Sequence, residues 1–302
     1  MRHLGILLTA RCNLRCAHCL QPEHFRRDID RDLCKRLLAD ARDRGVTGVS
    51  FSGGEPTLYP HLPEIVAECA ALSLAYSITT NGTLPGPLLQ ACHRLIPHHV
   101  TVSFDGIDAA RHDAIRGAGT FDTTLATVQL LAVLGIRTYL QFTMTDRLSL
   151  EAAAYDSLLT KTGAEKVLFV PLIETGTTRA AGITGDEARL HLVKEWVREN
   201  QALGRPFDIA LGEDIIVDAG TTDPRPCAYL SGKSLFVDWD GTVALCCQTA
   251  GMPDVDNGVG RLQEHGFDAL LDRRSAWIET LKRARASHPA AFQCDSCHQC
   301  LH

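Results

Sequence analysis

From residue 4 to about residue 203 the chain alternates short apolar or β-branched runs with amphipathic stretches, and this alternation limits the fold more than any other feature. The runs are LGILL (4–8), GVSFS (48–52), YSITT (76–80), VTVSF (100–104), TYLQF (138–142) and VLFVP (167–171). Between them, stretches such as 32–44, 62–72, 123–134 and 186–203 carry apolar residues at helical spacing. Strand–helix repetition predicts a parallel sheet with right-handed crossovers. Six repeats are too few for a closed eight-fold barrel, so the expected fold is α/β, a partial (β/α)6 TIM-type barrel. In such folds chemistry gathers at the C-terminal ends of the strands.

The unusual residues fall at those ends. Cysteines follow the first run, SGGEP the second and TTNGT the third, SFDG ends the fourth, and FTMT and PLIETG follow the fifth and sixth. The pattern breaks near residue 205, where Pro206 and then TTDPRPC (221–227) mark a connection into a second unit. There SLFVDWDGTVALCC reads as a hairpin turning at Asp240-Gly241, followed by a helix over roughly 266–286. Two domains are expected, residues 1–215 and residues 216–302, the second a small α+β unit that buries too little core to stand without an internal staple.

Thirty basic against thirty-six acidic side chains leave a formal charge of −6 and no basic run, which argues against a nucleic-acid partner. The mild acidity suits a cationic small molecule. The opening MRHLGILLTARC reads as a first strand, not a signal peptide, and no run is long enough to cross a membrane, so a cytoplasmic location is expected. Twelve cysteines are then available for metal rather than disulfides. Cys34, Cys69 and Cys92 are isolated in helix-like stretches and read as small buried hydrophobes.

RCNLRCAHC spaces three thiols, Cys12, Cys16 and Cys19, as C-x3-C-x2-C. A zinc site usually takes four protein ligands, and no fourth lies nearby except His18, whose neighbour Cys19 already points at the metal. A cuboidal iron–sulfur cluster takes one ligand per iron, so three cysteines leave one iron open to an outside ligand.

With SGGEP behind the second strand, this loop resembles the signature of the radical S-adenosylmethionine superfamily, and the resemblance covers essentially the whole chain. It implies that the open iron chelates the amino and carboxylate groups of the cofactor's methionine. One electron, from a flavodoxin- or ferredoxin-type donor, then splits the sulfonium and releases a 5′-deoxyadenosyl radical. Matched residue by residue, the edge of Gly53, Gly54 and Glu55 would receive the methionine ammonium, and a carboxylate there could pair with a buried cation. Thr80, Asn81 and Ser103 would contact the methionine or ribose, and Arg116 would meet the methionine carboxylate with its guanidinium fork. His18 stands where the backbone commonly faces adenine. Turn chemistry at Asn81-Gly82 and a surface ion pair at Arg116 remain the plain alternatives.

Cys227-x13-Gly241-x4-Cys246, followed by Cys294-x2-Cys297, resembles the auxiliary-cluster domains of the same superfamily, in the shortened form with one cluster called the twitch domain. That implies a second 4Fe-4S cluster on Cys227, Cys246, Cys294 and Cys297, with Cys300 able to replace Cys294. A zinc ribbon shares the C-x2-C spacing. If Cys246 ligates from a strand, Cys247 projects to the opposite face. It would be a free thiol able to return hydrogen to a substrate radical from the side opposite its abstraction, which is epimerisation; a buried structural cysteine or an alternative ligand stays open.

A small enzyme of this kind is similar to the radical epimerases and dehydrogenases of aminoglycoside antibiotic biosynthesis, the neomycin-type epimerases above all. The leading expectation is therefore a redox-neutral epimerase acting on an unactivated carbon of a polyamine sugar, with Cys247 as hydrogen donor. Glu174, Glu213, Asp214, Asp218, Asp238 and Asp240 offer carboxylates for such a cation. The rivals are a dehydrogenase that passes the electron to the auxiliary cluster and makes a ketone, a maturase of ribosomally made peptides, and a non-catalytic electron carrier or scaffold. Peptide modifiers often carry a leader-binding segment, for which residues 1–3 leave no room before the first strand.

Overall fold

The computed structural model describes residues 2–19, 27–172, 176–185, 187–209, 234–244 and 259–287. Its strands are β1 (His3–Thr9), β2 (Gly48–Gly53), β3 (Ala75–Thr80), β4 (His99–Phe104), β5 (Thr138–Met144), β6 (Lys166–Pro171), β7 (Phe207–Ile209), β8 (Ser234–Val237) and β9 (Val243–Ala244). The helices between and after them are α1 (Arg31–Asp43), α2 (Leu62–Ala71), α3 (Pro85–Arg94), α4 (Ala109–Arg116), α5 (Thr120–Val133), α6 (Ala152–Thr162), α7 (Gly176–Ala180), α8 (Glu187–Ala202), α9 (Leu262–His265) and α10 (Phe267–Ser287). One sheet holds all the strands in the order β7-β6-β5-β4-β3-β2-β1-β8-β9. Neighbours are parallel except for β8 and β9, which form an antiparallel hairpin. The protein is an α/β fold built on the partial barrel that the alternation predicts.

The strands read in twos. Val49 and Phe51, Tyr76 and Ile78, and Leu140 and Phe142 are buried in the apolar core. Their alternates Ser50, Ser52, Thr79, Gln141 and Thr143 keep partial exposure. Side-chain direction alternates along a strand, so one face meets the helices and the other turns inward to the lumen, where Leu7, Leu168, Val170 and Phe236 stand beside those polar residues.

Two expectations need correction. The alternation does not stop near 205: β7 adds a further parallel strand on β6, and three residues are too few to leave a periodic signal. The hairpin at Asp240-Gly241 is present, but β8 lies parallel to β1 inside the barrel sheet, with Ile6 opposite Val237. Gly5 makes that junction possible, because a Cβ there would come within 2.4 Å of the Phe236 ring. The anticipated boundary at 215/216 lies outside the described residues. Among those residues no helix is long and apolar enough to cross a membrane.

Candidate active site

The predicted rim segments stand at the C-terminal ends of β1 to β6, on one edge of the sheet, residues 173–175 of PLIETG lying outside the described residues. The loop that follows β1 is closed at its stem by a short antiparallel return. Ala10 N donates to Arg27 O (2.9 Å), Ile29 N to Leu8 O (2.9 Å), and Thr9 pairs with Asp28. Asp28 secures the stem with its side chain, accepting from Thr9 Oγ1 at 2.6 Å and from Arg11 Nε at 3.0 Å. The sequence reading assigned Asp28 nothing; its only advance signal was an acid downstream of a basic residue in the same loop.

Cys12, Cys16 and Cys19 sit in this loop, half-buried and not joined in disulfides. Leu14 N donates to Cys12 Sγ at 3.4 Å and Asn81 Nδ2 approaches it at 3.9 Å. Burial pushes the Cys12 thiol up to about 11, with Glu55 and the neighbouring cysteines adding to the rise. Burial also raises Cys16, partly countered by the Arg116 guanidinium. These thiols therefore need a metal to hold them as thiolates. Among the described residues no three His, Cys, Asp or Glu side chains converge on a point that would hold a single ion.

The SGGEP edge runs beside the loop. Gly54 N donates to Thr9 O (2.8 Å) and Glu55 N to Arg11 O (2.7 Å). A Cβ at Gly53 would stand 2.3 Å from Thr9 O, and one at Gly54 2.2 Å from Arg11 O. The two glycines thus let the end of β2 press against the residues leading into Cys12.

Glu55 is fully buried, and within the protein its carboxylate accepts from neutral donors. Oε1 accepts from Thr57 N (3.1 Å), Thr57 Oγ1 (2.7 Å) and Thr80 Oγ1 (2.8 Å), and Oε2 accepts from Asn81 N (2.8 Å). Burial raises its pKa against the pull of these bonds. Thr80 and Asn81 are engaged in the same network. Asn81 Nδ2 donates to Asn13 Oδ1 at 2.9 Å, and its Oδ1 accepts from Thr83 N at 2.9 Å. What the sequence offered as cofactor contacts is also the frame that fixes the cysteine loop.

Ser103 is 8% exposed and alternates with the core residues Val102 and Phe104, on the lumen side. Arg116 is buried, so the surface ion pair offered as its plain alternative is excluded: its Nε lies 2.5 Å from Asp105 Oδ2. His18 Nε2 lies 2.6 Å from the same oxygen. Asp105 belongs to the predicted SFDG segment, yet the sequence reading gave it no role.

Cys34, Cys69 and Cys92 are buried structural thiols, as expected, and burial pushes Cys69 up to about 12 and Cys92 to about 11. Asp238 is buried at the rim end of β8, and Arg27 of the loop stem lies 5.5 Å over the neighbouring Trp239 ring. Cys227, Cys246, Cys247, Cys294, Cys297 and Cys300 lie outside the described residues, as do Glu174, Glu213, Asp214 and Asp218.

Residues 6–151 match the model of the radical SAM superfamily, and residues 227–301 match SPASM, an iron-sulfur cluster-binding domain. PqqA peptide cyclase of Methylorubrum extorquens is 40% identical over 121 residues, 38% of this chain and 31% of the relative. Fe-coproporphyrin III synthase of Methanosarcina barkeri is 31% identical over 214 residues, 67% of this chain and 53% of the relative. The chain thus matches about a third to a half of the length of these relatives. Streptococcus suis SuiB bound to precursor peptide SuiA superposes with a TM-score of 0.72 at 18% identity, over 92% of this chain and 66% of SuiB, a likeness of fold. The relatives are named for a peptide and a porphyrin, not for aminoglycosides, so the antibiotic-sugar expectation gains nothing from them. Both matches imply iron–sulfur clusters and S-adenosylmethionine, and the chain belongs to the radical SAM superfamily, with a match to an iron-sulfur cluster-binding domain over residues 227–301.

Proposed function

We propose that the enzyme removes a hydrogen atom from a ribosomally made peptide. The observation that carries this reading is the 40% identity with PqqA peptide cyclase over 121 residues, 38% of this chain. The inner face carries Ser50, Ser52, Thr79, Gln141 and Thr143, partly exposed and able to hydrogen-bond peptide amides, beside the apolar Leu7, Leu168, Val170 and Phe236.

When bound, the cluster and S-adenosylmethionine supply a carbon-centred radical, with the electron coming from a flavodoxin- or ferredoxin-type protein. The chain's own residues hold and orient. Cys12, Cys16 and Cys19 would ligate the cluster, and the Gly53–Glu55 edge would receive the methionine ammonium. Thr80, Asn81, Ser103 and Arg116 border the methionine and ribose, and the His18 backbone faces adenine. Cys227, Cys246, Cys294 and Cys297, or Cys300 in place of Cys294, hold one auxiliary cluster in the twitch form of the second domain.

A second reading is favoured by the doublet Cys246-Cys247: Cys247 returns hydrogen and the product is an epimer, which in a cationic aminoglycoside would be a sugar carbon inverted. The experiment is anaerobic turnover of the reconstituted chain with S-adenosylmethionine and dithionite, reading 5′-deoxyadenosine against a panel of synthetic precursor peptides and a panel of aminoglycosides. Peptides should raise the yield. Stimulation by aminoglycosides alone would overturn the peptide reading. In heavy water, deuterium in the product that disappears in Cys247→Ala would assign hydrogen return to that thiol.

A further inference from the structure

Asp105 ends β4 at the rim and is 4% exposed. It touches three elements at once. Oδ2 lies 2.6 Å from His18 Nε2 on the cysteine loop and 2.5 Å from Arg116 Nε at the end of α4. Oδ1 accepts from Thr143 N of β5 at 3.3 Å. Beside this junction a backbone bond from Ala17 N to Ile115 O, 2.8 Å, ties the same loop to the same helix. Among the described residues it is the place where the stretch between Cys16 and Cys19 is held from below.

The charges are arranged as a unit. Burial alone would raise the Asp105 carboxyl, but Arg116 and His18 hold it well below the carboxylate range. Arg116, equally buried, is kept charged by Asp105 against its own desolvation. Both reach Cys16, the guanidinium favouring its thiolate and the carboxylate opposing it. A lone guanidinium here would carry an uncompensated desolvation cost and an unbalanced field; a lone carboxylate would carry the reverse.

We propose that Asp105 is a positioning residue: it clamps His18 and Arg116 beneath the cysteine loop and balances the guanidinium beside Cys16, fixing the field in which the ligated cluster takes up its electron. This rests on the cluster assigned to Cys12, Cys16 and Cys19, and is independent of the substrate.

The test uses the full reconstituted chain as Asp105→Asn, Arg116→Gln and the double variant. It reads melting temperature, iron per chain and the midpoint potential of the signal that responds to added S-adenosylmethionine. Asp105→Asn should lower the melting temperature and move the potential positive, because a nearby negative charge is gone. Arg116→Gln should also lower the melting temperature but move the potential negative. The double variant should return toward the parent in both, since the buried pair leaves as a unit. Single variants that shift the potential in one common direction, or a double variant whose losses are the sum of the singles, would overturn the proposal. Should Asp105→Asn not fold, the double variant must still melt above Arg116→Gln. A parent chain that took up no iron would sink the cluster assignment instead, while the melting temperatures would still decide the pairing.

Discussion

Gly54 has no room for a side chain, and the atom that forbids it is backbone. A Cβ would stand 2.2 Å from Arg11 O, one residue before Cys12, so nothing flexible can move aside. At neighbouring Gly53 the φ of +142° excludes most L side chains as well. Gly54→Ala must therefore open the seam between β2 and the cysteine loop, which is held by the bonds from Gly54 N and Glu55 N. The expected result is a chain that folds with a loss of about 1–3 kcal/mol, the usual range for overpacking, and takes up less iron in the first cluster. Iron and sulfide assays beside a urea titration check it; full iron incorporation would show that the seam tolerates displacement. The glycines were legible in the sequence as part of a motif. The reason for them was not, because it lies in the carbonyls of a strand about forty residues earlier, a distance local patterning cannot span.

At the scale of elements, the readable part of the sequence is the part whose signal is local. The short apolar or β-branched runs mark β1 to β6; Asp30 and Asp108, which the sequence reading did not single out, cap α1 and α4 by accepting from Leu33 N and Arg111 N. Asp240-Gly241 marks the hairpin, Gly241 having a φ of +82°. The pairing of β8 with β1 depends on fit between segments more than two hundred residues apart, which no local pattern records. The fit is specific: Phe236 lies across Gly5, and Arg274 of α10 donates from Nη2 to Ser234 O at 2.6 Å. Phe236→Ala removes the ring that closes this side of the lumen. A buried Phe→Ala change costs about 3–5 kcal/mol when fully realised. Because β8 is an end of the parallel set, the loss should be local. Amide exchange should quicken in β8 and β9 while β3 and β4 keep their protection. Uniform quickening across the sheet would mean that the hairpin is integral to the barrel's global stability.

For the whole molecule the acid limit of stability is set by buried imidazoles, His3 and His99 away from the rim and His112 beside Asp105. His99 is 0% exposed at the start of β4, stacked on Tyr139 at 4.6 Å, with its Nδ1 3.0 Å from that of His98. Burial lowers it to about 3, and the nearby His98, Arg137, His3 and Lys166 all press the same way. Burial also lowers His3 and His112 to about 4. A group whose folded pKa is depressed binds its proton more readily when the chain is unfolded. The stability is therefore whole above about 6.5, the unfolded value, and drains as the pH falls toward the folded ones. Each such histidine removes roughly 1.4 kcal/mol per pH unit inside that window. Glu55 works with the opposite sign within the same interval: its raised pKa favours the folded state fully below about 4.5, the unfolded value, and that contribution is lost as the pH rises above it, equally in parent and variant, so it cancels when the two are compared. His99→Phe keeps the stacked ring and deletes the titration. Its unfolding free energy, from urea curves at about pH 7 and pH 4.5, should fall by roughly 2–3 kcal/mol less than the parent's across that interval. Cluster loss in acid would affect both chains alike and cancel in the comparison. Parallel losses in the two chains would mean that His99 reaches solvent, or a proton-accepting partner, before the chain unfolds.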